Sequence, residues 1–154
     1  MATNARLSKT FVEHESGSMK TAAVMIILLA VVVGITPQFT DCQSQGKAIE
    51  LPNGKSLPMK CHWTARAEIA VAVPLLLCGV FMLLSGRKEV WRQQAVMTMV
   101  LGLFVILLPT ALIGVCAKAD MLCHALMKPV LTLAGILVMA LGVLCFLLAG
   151  RQKG

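Results

Sequence analysis

Four stretches of this chain are long and apolar enough to cross a membrane, and they leave little else for it to be. The first, Thr21 to Phe39, reads TAAVMIILLAVVVGITPQF, nineteen residues without a charge. At about 1.5 Å rise per residue it reaches roughly 28 Å, the thickness of a hydrocarbon core. Ala67 to Ser85, which carries Glu68 at its outer end, and the uncharged Ala95 to Val115 and Pro129 to Ala149 are apolar runs of similar length. In lipid every backbone N–H and C=O must be paired inside its own segment, so such runs fold as helices. The first run reads as retained: no Ala-x-Ala-like cleavage site follows it, and Asp41 stands before Cys42 where a lipoprotein signal peptidase needs a small residue.

The predicted fold class is all-α transmembrane, a four-helix bundle of two tandem αα-hairpin repeats. Its expected layout is a flexible cytoplasmic tail over 1–20, a first membrane hairpin over 21–86 with its outer loop at 40–66, and a cytoplasmic loop over 87–94. A second hairpin then covers 95–150 with its outer loop at 116–128, and 151–154 form a cytoplasmic tail. Pro37 lies near the outer end of the first span and Pro109 within the third, while Pro74 falls inside the second, where a missing N–H and a clash with the preceding turn predict a kink. In the first outer loop, Asn53-Gly54 between short alternating runs predicts a small β-hairpin on a type I′ turn.

A net charge of +7 raises the question of nucleic acid. With 58% hydrophobic and only 14% charged residues, the chain has no broad water-facing surface for a basic patch, so nucleic acid is excluded and the excess belongs to helix flanks and lipid headgroups. Arg6, Lys9, Lys20, Arg87, Lys88, Arg92, Arg151 and Lys153 lie on the side of the termini, against Lys47, Lys55, Lys60, Arg66, Lys118 and Lys128 on the other. The denser basic loop predicts cytoplasmic termini in a multi-pass cell-membrane protein, with the cysteine-bearing loops outside.

The repeat is carried by Met59-Lys60-Cys61-His62 and Met121-Leu122-Cys123-His124, each preceded by a cysteine, Cys42 or Cys116. Each is followed by an apolar run ending in Leu-Leu-small-Gly-Arg, and the copies lie 62 residues apart at the histidines and 64 at the terminal glycines. Two spans per unit make the copies parallel, related by an axis along the membrane normal, so both signatures sit at one depth.

Three readings of the signatures stand side by side. Structural disulfides within each copy, Cys42–Cys61 and Cys116–Cys123, are what even-numbered cysteines in an oxidising compartment predict, each contributing about 2–4 kcal/mol. A metal site is the second: Met59, Cys61, His62, Met121, Cys123 and His124 offer soft and borderline donors suited to copper(I). Thiol–disulfide exchange is the third. One cysteine pair per outer loop resembles the layout of membrane quinone reductases that reoxidise periplasmic disulfide catalysts, but the spacings here are 19 and 7 rather than Cys-x-x-Cys. Cys78 and Cys145 lie within spans and read as small packing groups. Arg66 and Glu68 are polar candidates at the outer mouth, with Glu68 expected to snorkel or to pair with Arg66 or Lys128.

Pro-Gln-Phe-Thr-Asp-Cys, Met-Lys-Cys-His-Trp-Thr-Ala-Arg-Ala-Glu and Pro-Thr-Ala-Leu-Ile-Gly-Val-Cys followed by Met-Leu-Cys-His resemble an uncharacterised family of small four-span bacterial and archaeal membrane proteins, over roughly Thr21 to Gly150. The resemblance implies a fold and a membrane address beside transport components, and no catalytic residue. The expected role is therefore a non-catalytic accessory or scaffold subunit, in contact with lipid and with other membrane proteins or further copies of itself. Gly79, Gly102, Gly135 and Gly142 would allow close helix approach. The alternative is a thiol-redox or copper-handling protein working through the Cys/His/Met cluster.

Overall fold

The computed structural model of the chain describes residues 2–44, 46, 49–85, 87–116 and 121–151, the side chains of 2–16 and 151 excepted. Lys47, Lys118 and Lys153 of the charge comparison and Gly86 of the first repeat's tail lie outside the described residues, as do the side chains of Arg6, Lys9 and Arg151. The four spans are helical, over Gly17–Thr40, Lys60–Leu84, Lys88–Leu112 and Cys123–Gly150. Only about a third of each is buried inside the bundle. The remaining face, with Phe39, Val73, Phe81 and Leu133 exposed, is apolar and requires lipid.

Helix α1 runs Ala2–Thr40, so its backbone continues through the segment expected as a loose tail. Strands β1 (Ile49–Glu50) and β2 (Ser56–Leu57) form the hairpin of the first loop, pairing Ile49 with Leu57 and Glu50 with Ser56. The turn is not type I′. Gly54 alone takes positive φ, at 73°, while Asn53 does not. Gly54 N–H bonds Leu51 C=O across Pro52 and Asn53, and Leu51 N–H bonds Lys55 C=O, which is the three-residue loop with a left-handed glycine at its end.

Helix α2 (Lys60–Leu84) begins seven residues before the expected span, so the first Met-x-Cys-His opens a helix rather than ending a loop. It runs unbroken through Pro74. Helix α3 (Lys88–Leu107) also starts early, leaving a short connection that Trp91 pins by donating its indole N–H to Ser85 C=O at 2.7 Å. Pro109 falls in a π-helical turn, Leu108–Leu112, whose wider winding accommodates the missing donor. A second π-helical turn, Cys123–Met127, leads into α4 (Lys128–Arg151). Chain neighbours pack against each other and α1 meets α4, closing the bundle.

Glycines set the distance within each hairpin. A Cβ on Gly79 of α2 would lie 2.6 Å from Ile27 and 3.3 Å from the carbonyl of Ala23 on α1. In the second hairpin, a Cβ on Gly142 would lie 2.7 Å from Met99 and 3.2 Å from the carbonyl of Ala95, the same contact repeated. Gly102 and Gly135 close the same α3–α4 seam. These four glycines, which the sequence offers as docking points, are occupied by the chain's own helices.

One residue of the two-residue length difference between the copies has a structural cause. The signature histidines are 62 residues apart but Gly79 and Gly142 are 63 apart. The added residue lies where the π-helical turn Cys123–Met127 winds one residue more than α-helix would, returning later positions to register. With that register Leu75 corresponds to Val138, and Met82 to Cys145, all buried.

Candidate metal centre

At one end of the bundle the sulfur atoms of Cys42, Cys61, Cys116 and Cys123 all lie within 4.8 Å of one another. Each reaches that point by a different local device. Cys42 follows the last turn of α1, where Asp41 N–H bonds Pro37 C=O, and Cys61 sits in the first turn of α2. Cys116 follows the end of α3's π-helical turn, capped by Gly114 at φ 78° with its N–H on Leu108 C=O. The carbonyl of that glycine accepts the Thr64 hydroxyl of α2 at 2.7 Å, tying the loop before Cys116 to the helix that carries Cys61. Cys123 opens the second π-helical turn.

Three short sulfur contacts cross between the copies. Cys42 stands 3.4 Å from Cys123 and 3.5 Å from Cys116, and Cys61 stands 3.6 Å from Cys116. The thioethers follow the same two-fold rule: Met59 is 3.9 Å from Cys116 and Met121 is 3.9 Å from Cys42. All six cysteines are free thiols, and no pair is near the roughly 2.05 Å of a disulfide. The expected links Cys42–Cys61 and Cys116–Cys123 are thus not formed. The pseudo-two-fold axis brings each upstream cysteine to the other copy's signature, an arrangement that pairing by proximity in sequence misses.

Three of the four thiols are buried and Cys116 is partly exposed. Burial raises the Cys42 thiol far above its ordinary value, and the neighbouring thiols raise it further. Burial acts on Cys116 in the same direction, but hydrogen bonds from Cys42, Cys61 and Cys123 outweigh it and leave this thiol below its ordinary value. Ionising all four sulfurs in so small a space needs a cation at the centre.

The signature's other donors are placed around the sulfurs, not among them. His62 Nδ1 lies 3.1 Å from Asp41 Oδ2, an ion pair when the ring is protonated. Asp41 Oδ1 accepts the Ser44 backbone N–H at 2.8 Å, and the Ser44 hydroxyl donates to Asp41 C=O. This clasp joins the end of α1 to the start of α2, with Cys42 and Cys61 adjacent to its two anchors. Sequence reading left Asp41 without a role, although its place beside Cys42 was the available signal. The His124 ring has no hydrogen-bond partner among the described residues. Arg66 is exposed, whereas Glu68 is fully buried and does not pair with Arg66 or Lys128.

Burial alone would raise the Asp41 carboxyl, but its Ser44 bonds and His62 hold it below its ordinary value of 3.8. A depressed carboxyl contributes stability that is present above the unfolded-state value and lost as pH falls through the folded one. Wild-type protein in detergent is expected to lose part of its thermal stability as pH drops below about 3.8, and Asp41→Asn to lack that acid step. Superimposable melting-versus-pH curves for the two proteins would remove the clasp.

Compared with known proteins, the chain matches a family model described as a domain of unknown function (DUF4418) over residues 21–148. No curated protein and no solved structure matches it.

Proposed function

Because the chain belongs to the DUF4418 family, a domain of unknown function that brings no assigned chemistry with it, we propose from the sulfur geometry that it is a membrane metal-binding protein. In this reading Cys42, Cys61, Cys116 and Cys123 hold one divalent ion, and each repeat supplies two ligands. The observation that carries the reading is the sulfur spacing. A tetrahedral ion with bonds of about 2.3 Å needs ligand sulfurs about 3.8 Å apart. Three of the six sulfur pairs stand at 3.4 to 3.6 Å and all lie within 4.8 Å, so small shifts of the sulfurs on either side reach that spacing. A four-thiolate tetrahedral set favours zinc or iron over ions that prefer oxygen or square-planar nitrogen. The ion would join the repeats at the end of the bundle where the cysteines meet.

Copper(I) is the second reading, favoured by the Met59 and Met121 thioethers 3.9 Å from Cys116 and Cys42. The accessory-subunit reading is the weaker one, since the glycine seams that suggested docking are filled within the hairpins.

The test is an anaerobic titration of the reduced, detergent-solubilised protein with Co²⁺, followed by competition with Zn²⁺ and Cu(I). One Co²⁺ per chain, with the thiolate charge-transfer band and tetrahedral ligand-field absorption, supports the centre. Absence of a stoichiometric thiolate complex with any of the three ions sinks it. Oxidation of the metal-free protein with diamide provides a second readout. Peptide mapping is expected to find Cys42 linked to Cys123 and Cys61 to Cys116, with the ion protecting all four. Links confined to Cys42–Cys61 and Cys116–Cys123 would show that the sulfurs do not meet as described.

A further inference from the structure

Beneath the four sulfurs the bundle buries a carboxyl that nothing described so far uses. Glu68 is 0% exposed, and neither of its oxygens has a hydrogen-bond partner, cysteine sulfurs included. An ionisable group left unpartnered inside a membrane bundle is costly and marks function more often than packing. The second repeat shows that packing does not require it: in the register fixed by Gly79 and Gly142, the residue corresponding to Glu68 is Leu131, also 0% exposed. The same interior position is therefore filled once by leucine and once by a carboxyl of similar length.

Its location connects it to the centre. Glu68 is seven residues after Cys61, two helical turns on the same buried face of α2, about 10 Å along the axis. The interior cluster at this end contains Val33, Ala65, Ala72, Val105, Met127, Leu131 and Ala134 together with the cysteines. Apart from the Met127 thioether, a poor ligand for the hard ions that a carboxylate takes, these side chains offer no donor atom, so a lone carboxyl at this depth has too few ligands for a metal ion. What a single carboxyl can take is a proton. The titratable groups of the same cluster are the thiols: Cys61 on α2, Cys42 after α1, Cys116 after α3 and Cys123 ahead of α4. Of the charged residues on the packed elements, Asp41 is clasped to His62, Lys60 and Arg66 are exposed, and Lys128 is partly exposed.

We propose that Glu68 is a proton-binding site of the bundle interior, coupled to ion loading of the tetrathiolate centre. The inference rests on the metal-binding reading above. Binding converts a divalent ion and four thiols into a tetrathiolate complex of net charge −2 and releases up to four protons. A carboxylate on the same buried face is repelled by that charge in a medium of low dielectric. It takes up one of the released protons, so the complex forms without a third negative charge in the interior. No electron is transferred, and proton and charge balance are complete within the chain and its solvent.

The experiment counts protons released per Zn²⁺ bound, using a pH dye in weak buffer, for detergent-solubilised wild type and Glu68→Gln from neutral to alkaline pH. Wild type is expected to release one proton fewer per ion than the variant at the pH where Glu68 is ionised before loading. Infrared difference spectra of wild type should gain the carbonyl stretch of a protonated carboxylic acid on Zn²⁺ addition. Glu68→Leu, which copies the second repeat, should give the same count as Glu68→Gln and replaces it if that variant fails to fold. Equal proton counts at every pH, with no carbonyl change in wild type, overturn the coupling while leaving the centre intact. No Zn²⁺ binding to wild type overturns both readings, and the titration shows this before any proton is counted.

Discussion

Changing any one of Cys42, Cys61, Cys116 or Cys123 to serine is expected to weaken Co²⁺ or Zn²⁺ binding by more than about 100-fold, or about 2.8 kcal/mol. Residues that only orient ligands cost 10- to 100-fold when removed, and a lost thiolate removes a bond to the ion itself. The four effects should be of similar size, because the pseudo-two-fold axis gives each repeat two ligands and all four sulfurs lie within the same 4.8 Å. Cys78→Ser and Cys145→Ser are the controls. Both side chains belong to the other interior cluster, with Met19, Met82 and Trp91, at the opposite end of the helices. His62→Ala should fall between, since His62 acts through Asp41 on the segment that carries Cys42. Unchanged affinity in any of the four cysteine variants, measured by competition titration, would remove that sulfur from the site.

The second large effect concerns stability. Gly135→Ala is expected to destabilise the bundle by about 1–3 kcal/mol, and Gly135→Leu to prevent the second hairpin from closing. An added Cβ at Gly135 would lie 2.6 Å from the Ile106 side chain and 2.9 Å from the carbonyl of Gly102. Ile106 can rotate away, but the carbonyl is backbone and moves only if α3 and α4 separate. Gly17→Ala is the contrasting case, because nothing lies within 4 Å of its added Cβ. There, alanine should stabilise α1 by up to about 1 kcal/mol through reduced freedom of the unfolded chain. Unfolding in mixed micelles checks the pair, and equal stability of Gly135→Ala and wild type would mean the seam is looser than described.

Much of the architecture was legible because lipid imposes a simple rule on sequence. Nineteen uncharged residues from Thr21 to Phe39 have few alternatives to a spanning helix, and the doubled Met-x-Cys-His with two spans per copy places both signatures at one depth. The hairpin at Ile49 to Leu57 was legible from Asn53-Gly54, although the observed turn places only the glycine at positive φ. Helix starts were less accurate. The polar residues from Lys60 to Arg66 read as loop, yet they form the first turns of α2, where Thr64 and the Asp41–His62 clasp supply the polar contacts.

The facing of each helix was not legible at all. In water an amphipathic stripe shows which side of a helix is buried; a helix apolar on nearly every side, as these are, carries no such stripe. The rotation of α2 about its own axis is set instead by Gly79 fitting between Ala23 and Ile27, and that rotation turns Glu68 inward although the sequence reads it as an outer-mouth residue. Sequence alone determined that four helices cross a membrane and that two equivalent cysteine pairs end at one depth, because length, hydropathy and repetition are local properties. Only the tertiary structure decided that the four sulfurs converge across the repeats and that a single carboxyl lies beneath them, because both depend on how glycine seams and two π-helical turns orient helices whose surfaces are otherwise alike.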